Sequence, residues 1–239
     1  MVFSILAGFM TNFDSSTDDS VTAQMPRYYA QRALEYEQIF ERPHRLANIA
    51  ALKRWLGQQF SGRHVLEVAT GTGFWLPAAT AAALSWQCTD LNAEVLEVAK
   101  AKPLDFSKVK FRLADAYALD LLAEGTESKF DAAFAGLWFS HVPVSRQAAW
   151  LAQLHAQLRP GAIVVLMDNR FVAGDSTAIA RTDAEGNGYQ IRALTDGSQH
   201  EVLKNFPSRE HMCELLQGAA QDIEWQELDY FWTLKYRLR

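Results

Sequence analysis

The chain has 239 residues, of which 49% are hydrophobic and 21% are charged, and its formal net charge at pH 7 is -5. This length suits one well-filled α/β domain and is short of two full ones. The acidic balance and the lack of a long Lys/Arg run exclude a dedicated nucleic-acid surface, although not a site for a small anion.

The cysteines and the N-terminal residues bear on location. Cys88 and Cys213 lie far apart and no secretory signal is recognisable, so we expect reduced thiols, a cytoplasmic protein and no metal site. Residues 1–10 are apolar but lack a basic flank and are too short to cross a bilayer. We therefore expect no membrane association, and either a monomer or a homodimer.

The first 60 residues are predicted to form a tail and two helices. Residues 1–24 contain an acidic stretch rich in Ser and Thr, which predicts a flexible tail. The remaining residues, 25–239, are predicted to form the single domain. Amphipathic patterns that start at Pro26 and Pro43 predict two cap helices within residues 25–60.

A strand, a glycine turn and a helix are predicted from Val65 to Leu84. Gly71 and Gly73 permit a sharp turn and let a ligand approach the backbone, while the helix start presents unpaired N–H groups. A Gly-x-Gly turn by itself is a weak indication of a nucleotide site, because many tight turns use this pattern. Acidic residues at the ends of later strands would strengthen it.

Three further strands come after the turn at suitable spacing. Residues 84–89 end at Asp90, about 20 residues beyond the glycines, where an acid can hold ribose hydroxyls. Residues 109–113 end at Asp115, and residues 130–139 form the next apolar run. Strands that alternate with helices predict an α/β fold with a parallel sheet.

Two residues discriminate between adenosine ligands. The dinucleotide fingerprint requires a third Gly or Ala where this chain has Leu76. Glu67, beside the turn, would repel a pyrophosphate but suits a ligand that carries an amino group and a sulfonium. Charge therefore favours S-adenosylmethionine over NAD.

With these residues the sequence resembles the class I, Rossmann-like S-adenosylmethionine-dependent methyltransferases. The resemblance implies a three-layer fold with strand order 3-2-1-4-5-7-6 and an antiparallel last strand. Asp90 would hold the ribose hydroxyls, and Asp115 with the Ala116 N–H would contact the adenine. The cofactor-binding residues that the resemblance implies in the core are Glu67, Ala69, Gly71, Gly73, Asp90, Leu91, Asp115, Ala116 and Gly136. Ala69 replaces the Gly that is commoner in the family.

The first cap helix adds two candidates. In many of these enzymes an N-terminal helix closes over the cofactor, so Tyr28 and Arg32, one turn apart, would meet the methionine carboxylate or the substrate. The alternative is that the tyrosines only pack this helix on the core.

A narrower resemblance involves the fourth strand and the last third of the chain. Residues 130–143, 196–197 and 203–206 look like the branch that contains the dehydrophos phosphonate O-methyltransferase. This resemblance implies a small, anionic, oxygen-bearing substrate.

Residues 169–206 are too long for an ordinary connection and are predicted to form an inserted β-hairpin lid. Asp196-Gly197 predicts a two-residue turn that pairs Arg192 with Glu201 and puts Arg192 and Lys204 on opposite faces. Either the hairpin supplies a cation for an anionic substrate, with Lys204 slightly preferred, or it is a surface hairpin with a weak Arg192–Glu201 pair.

His141 is the one histidine nominated for catalysis, as a base or a positioning group, and the alternative is a histidine bonded to backbone. The leading hypothesis is methyl transfer to an oxygen of a small molecule, since an anionic oxygen needs no base. The alternatives are N- or C-methylation, an NAD-dependent oxidoreductase, and a non-catalytic Rossmann-like binding protein.

Overall fold

The computed structural model describes residues 16–119 and 130–239, and this part of the chain contains ten strands and six α-helices. The strands are β1 (His64–Val68), β2 (Ser85–Asp90), β3 (Val109–Leu113), β4 (Phe130–Gly136), β5 (Leu158–Asn169), β6 (Arg181–Thr182), β7 (Gly188–Ala193), β8 (Gln199–Leu203), β9 (Ala220–Glu227) and β10 (Phe231–Leu238). The α-helices are α1 (Ser16–Gln31), α2 (Leu46–Gln59), α3 (Leu76–Ala79), α4 (Ala93–Lys100), α5 (Gln147–Ala156) and α6 (Arg209–Leu215).

Seven strands form the main sheet in the order β3-β2-β1-β4-β5-β10-β9. The first five are parallel to one another, and β10 is antiparallel to both β5 and β9. This arrangement confirms the predicted order, with β9 and β10 as the sixth and seventh strands of the main sheet.

Helices cover both faces of this sheet. Successive residues of each strand point to opposite faces, so they pack against different helices. Val65 packs in the cluster that contains residues of α2, α3 and α4, whereas Leu66 packs in the cluster that contains residues of α5 and α6. The three predicted layers are therefore present. None of the helices in the described ranges is both long and apolar enough to span a membrane.

The N-terminal helix begins earlier than the sequence predicted. Helix α1 includes residues 16–24, so the flexible tail predicted for residues 1–24 is wrong over this part, and residues 1–15 lie outside the described ones. The spacing of Val21, Met25 and Tyr28 puts apolar side chains on one side of a helix, where they pack against Val202. The acidic, Ser/Thr-rich composition obscured that pattern. The sequence also predicts a short helix from Tyr117 to Glu124 after the third strand, and its residues 120–124 are likewise outside the described part.

The inserted segment forms a small antiparallel sheet in the order β6-β7-β8. Its register differs from the prediction by one residue, since Arg192 lies opposite His200 and not opposite Glu201. The turn has three residues instead of two: the Gly197 N–H donates to Leu194 O at 2.9 Å, and Gly197 has a φ of 83°. A shift of one residue in the pairing moves the side chains of one strand to the other face relative to its partner, so Arg192 and Lys204 point to the same face of the small sheet.

Candidate active site

Two adjoining cavities lie at the carboxyl ends of β1 to β4, the edge where open α/β sheets bind ligands. The larger has a volume of about 490 Å³ and is called here the apolar cavity. The smaller, the polar cavity, has a volume of about 250 Å³ and lies between α1 and the small sheet. Four residues line both cavities, namely Tyr29, Tyr36, Leu137 and His141. A ligand in one cavity is therefore next to a ligand in the other.

Most of the predicted core cofactor residues line the apolar cavity. They are Ala69, Gly71, Asp90, Leu91, Asp115, Ala116 and Gly136. Ala69 has a φ of 55°, in the left-handed region that favours glycine, which explains why Gly is the commoner residue here. Gly73 serves packing instead: a Cβ on it would lie 2.9 Å from Ala99 Cβ, so glycine lets the turn pack against α4.

Asp90 is positioned as an acceptor at the end of β2. Its Oδ2 accepts a hydrogen bond from the Gly71 N–H at 2.9 Å, and its Oδ1 accepts one from the Asn92 N–H at 2.9 Å. Burial raises the pKa of the Asp90 carboxyl, and these N–H groups oppose that effect. Because each carboxylate oxygen accepts more than one hydrogen bond, Asp90 retains the capacity to accept from two ribose hydroxyls.

Glu67 does not line either cavity, contrary to its predicted contact with the cofactor amino group. It has the same orientation as Val65 on β1, so it is buried under the α2–α4 layer. Trp86 Nε1 donates a hydrogen bond to its Oε2 at 2.6 Å. Burial raises the pKa of the Glu67 carboxyl to about 8, so it is largely protonated at neutral pH.

Aromatic rings that the sequence analysis did not nominate form much of the apolar cavity. Phe40 and Phe74 stack with their centroids 4.0 Å apart, and Tyr29, Tyr36 and Trp75 also line the cavity. Aromatic faces attract cations, so this lining fits a ligand that carries a sulfonium. The volume, the aromatic faces and the acceptor at Asp90 together fit S-adenosylmethionine.

The polar cavity contains the remaining predicted residues, Tyr28, Arg32, His141, Arg192 and Lys204. Arg192 donates to Gln190 Oε1 at 2.7 and 3.2 Å and to the Tyr29 hydroxyl at 3.3 Å. Arg32 donates to the Tyr28 hydroxyl at 2.9 Å. Within the described residues, all of these acceptors are neutral groups, and neither arginine forms an ion pair with a carboxylate.

Lys204 lies in the same cavity but has a partner. Its Nζ donates to Asp168 Oδ1 at 2.7 Å and to Ser140 Oγ at 2.6 Å. The side chains of Lys204 and Asp168 are only 4% and 0% exposed. Asp168 therefore neutralises Lys204, and the preference for Lys204 over Arg192 as the anion-binding cation has no support in this geometry.

His141 lies between the two cavities, where its partners define its protonation state. The Leu203 carbonyl can only accept, so Nδ1 donates to it at 2.6 Å, and Nε2 accepts from the Tyr29 hydroxyl at 2.9 Å. Burial, with the positive charges of Lys204 and Arg192, lowers the pKa of His141 to about 3. The imidazole is therefore neutral and a weak base.

Comparisons with known proteins agree with this geometry. Residues 65–161 match the family model of the methyltransferase domain. The solved complex of DhpI, a dehydrophos O-methyltransferase, with SAH is 28% identical over 92% of this chain and 98% of that one, with a TM-score of 0.71. The DhpI–SAM–HEP complex is 26% identical over 91% and 97% of the two chains, with a TM-score of 0.72.

A third solved structure extends the likeness in fold alone. It is the 1,6-didemethyltoxoflavin-N1-methyltransferase of Burkholderia thailandensis, 16% identical over 99% of this chain and 93% of that one, with a TM-score of 0.58. No curated protein matches the sequence significantly.

The fold, the domain match and the relatives define an S-adenosylmethionine-dependent methyltransferase that acts on a small molecule. Its cofactor is S-adenosylmethionine, converted to S-adenosylhomocysteine. Among the solved structures, it is similar to DhpI over nearly its whole length. The alternatives of an NAD-dependent oxidoreductase and of a non-catalytic binding protein were therefore wrong. The roles of the individual residues remain predictions.

Proposed function

We propose that this enzyme transfers the methyl group to an oxygen of a small anionic acceptor bound in the polar cavity. The observation that carries the proposal is the presence of Arg32 and Arg192 in that cavity, each bonded to neutral groups among the described residues. A partly buried guanidinium with no carboxylate beside it attracts an anion strongly, because few water molecules screen its charge.

Arg192 is held in place before an acceptor arrives. Gln190 Oε1 accepts two hydrogen bonds from it, and Gln190 is itself buried with its Nε2 bonded to Thr177 O at 2.6 Å. Less conformational entropy is then lost on binding, and the planar guanidinium suits the paired oxygens of a phosphonate or carboxylate.

The chemistry proposed here requires no strong base. S-adenosylmethionine supplies an electrophilic methyl group when it is bound. An acceptor oxygen that is already anionic can attack without losing a proton, which agrees with the neutral, weakly basic state of His141. His141 then serves to orient Tyr29, whose hydroxyl is fixed by contacts with both His141 and Arg192.

The residues at the junction align the two ligands. Tyr29 and Tyr36 line both cavities, and burial raises the pKa of both phenols, so their hydroxyls stay neutral. Their rings limit the entry of water between the methyl group and the acceptor oxygen, and correct placement supplies much of the rate enhancement. DhpI, a similar chain, has been solved in complex with SAM and HEP together, which supports a site for a second ligand in addition to that of the cofactor.

The test is a set of small phosphonates, carboxylates, phenols and amines incubated with the protein and S-adenosylmethionine labelled with ¹³C in the methyl group. We expect methyl esters of phosphonates or carboxylates, identified by the ¹³C shift of the new O-methyl group. Methylation of the amines alone would establish an N-methyltransferase and contradict the proposal.

A further inference from the structure

A second group of cations lies in the wall of the polar cavity, around the carboxylate of Asp175. Asp175 Oδ1 accepts hydrogen bonds from Arg42 Nη1 at 3.1 Å and from His44 Nε2 at 2.7 Å. Its Oδ2 accepts from Arg45 Nε at 3.1 Å, and also from Arg45 Nη2. Arg42, Arg45 and Asp175 all line the cavity. One carboxylate therefore fills a cradle of three basic side chains.

The cradle belongs to a different part of the chain from the carboxylate. Arg45 has a side chain only 10% exposed, and its guanidinium lies over the rings of Tyr230 and Phe231 at 5.4 and 6.0 Å. These ring contacts hold Arg45 independently of Asp175. Asp175 itself comes from a turn in which the Ser176 N–H donates to Val172 O at 2.8 Å. A loop between β5 and β6 thus carries an anion into a site that other segments build.

The charges in the cradle do not balance. Arg42 and Arg45 bring two positive charges and Asp175 one negative charge, so the cradle stays positive even with His44 neutral. Burial raises the pKa of the Asp175 carboxyl, but the hydrogen bonds from Arg45, His44 and Arg42, together with the positive charge of Arg45, lower it by more, and the carboxyl is ionised at neutral pH. The arrangement is that of an anion site that the protein fills with its own carboxylate.

We infer that Asp175 determines acceptor specificity by occupying the place of a second anionic group. The inference rests on the proposed function, since it takes the polar cavity as the acceptor site. An acceptor with one anionic group binds at Arg32 and Arg192 and leaves Asp175 in place. A second anionic group on the same acceptor would meet the Asp175 carboxylate, and repulsion between like charges excludes it.

The experiment compares two kinds of ligand by isothermal titration in the presence of S-adenosylhomocysteine. The probes are methylphosphonate and three diphosphonates whose phosphonate groups are joined by one, two or three methylene groups. In Asp175→Ala we expect the affinity of at least one diphosphonate, relative to that of methylphosphonate, to rise tenfold or more over wild type. An unchanged ratio for all three diphosphonates would overturn the inference.

Further variants separate specificity from folding. Asp222→Ala removes an exposed partner of Arg237 at 3.3 Å and should leave the ratio unchanged. Asp175→Asn keeps the side-chain size and removes only the charge, so it should raise the ratio even if Asp175→Ala folds poorly. Adding Arg42→Gln to either Asp175 variant should abolish most of the gain, because the second group loses a cation. If the affinity ratio stays high in the double variants that lack Arg42, the cradle is not the origin of the gain.

The variant Arg192→Gln tests the proposed function separately from this inference. It should weaken the binding of methylphosphonate and of the diphosphonates by similar factors. If Arg192→Gln leaves methylphosphonate binding unchanged, the proposed acceptor site is wrong. The effect of Asp175→Ala on diphosphonates would still report on the Arg42–Arg45 cradle.

Discussion

The two cavities of this enzyme are built in different ways, although they share a wall. Most residues that line the apolar cavity belong to the turns at the ends of β1, β2, β3 and β4, which are short segments next to a strand end, and the rest come mainly from α1 and residues 36–40. The polar cavity combines α1, the loop around Arg42, the segment after β5 and the small sheet, which lie far apart in the sequence. The first cavity is therefore determined mainly by local motifs, whereas the second depends entirely on how distant segments pack.

Their polar groups also differ. In the apolar cavity, Asp90 is held by backbone N–H groups, which any sequence with this turn provides. In the polar cavity, Arg192, Lys204 and Asp175 are held by other side chains. We therefore expect that different substitutions change cofactor affinity, acceptor affinity and the free energy of unfolding independently of one another.

The largest expected effect is a loss of stability in Lys204→Met. Asp168 would remain buried without its cation, which costs about 3–5 kcal/mol for a buried pair. The free energy of unfolding by urea measures it. Lys235→Met is the matched control, because Lys235 pairs with the exposed Glu224 at 3.2 Å and its loss should cost less than about 1 kcal/mol.

The same variant tests the two interpretations of Lys204 against each other. If Lys204→Met unfolds like wild type but raises the KM of the acceptor, Lys204 is an anion-binding cation, as the sequence predicted. In that case the ion pair with Asp168 would contribute little to the free energy of unfolding.

Asp90→Ala should affect only the apolar cavity. Removing a charged acceptor costs about 1.5–3 kcal/mol per hydrogen bond, so the loss of one ribose contact alone weakens S-adenosylhomocysteine binding by roughly tenfold to a hundredfold. Isothermal titration measures this change, and methylphosphonate affinity should stay within twofold of wild type. Cofactor binding equal to that of wild type would refute the role of Asp90 in holding the ribose.

Arg192→Gln should show the opposite selectivity. The acceptor loses a charge-assisted hydrogen bond, so its KM should rise about tenfold, while the Kd of S-adenosylhomocysteine stays within twofold. Arg237→Gln, on β10 and bonded to Gly161 O at 3.0 Å, is the control of the same type. Equal losses for cofactor and acceptor would show that the two cavities do not act separately.

Glu67→Gln should change how stability depends on pH. The folded protein holds the proton of Glu67 up to a pKa of about 8, above the ordinary glutamate value of 4.5, so wild-type stability falls as pH rises through this interval. Glutamine keeps an acceptor for Trp86 Nε1 and cannot ionise. The variant should therefore gain at least about 1 kcal/mol over wild type between pH 6 and pH 9, in urea unfolding. A constant difference across this range would mean that Glu67 is ionised in the folded state.

The sequence predicted much of the cofactor side of the enzyme. Strand patterns, the glycine turn and the acids at strand ends indicated a parallel sheet and its ligand edge, because parallel strands carry their site residues in the adjoining turns. The order of the strands came from the resemblance to class I methyltransferases. Even there Glu67 was misplaced. The charge argument considered its nearness to the turn in sequence, whereas alternation along β1 directs its side chain into the core.

The hairpin shows why the acceptor side was harder. Asp196-Gly197 was interpreted as a two-residue turn, and the actual three-residue turn shifts the register by one residue. That shift brings Arg192 and Lys204 to one face, although alternation in the predicted register had separated them. No local pattern distinguishes the two turns. The register also depends on tertiary packing, since Val202 and Leu203 of β8 pack in one cluster with residues of α1.

By itself, then, the sequence determined the parallel α/β sheet and the strand-end turns, which depend on hydrophobic periodicity and backbone geometry within short segments. The strand order and the cofactor followed from the resemblance of those turns to class I methyltransferases. Only the tertiary structure decided which charges face the acceptor. Asp168 meets Lys204 across 36 residues and Asp175 meets Arg45 across 130, and such pairings depend on the packing of whole segments. A charged residue in the sequence shows its sign, whereas its partner, and hence its availability to a ligand, is settled by the fold.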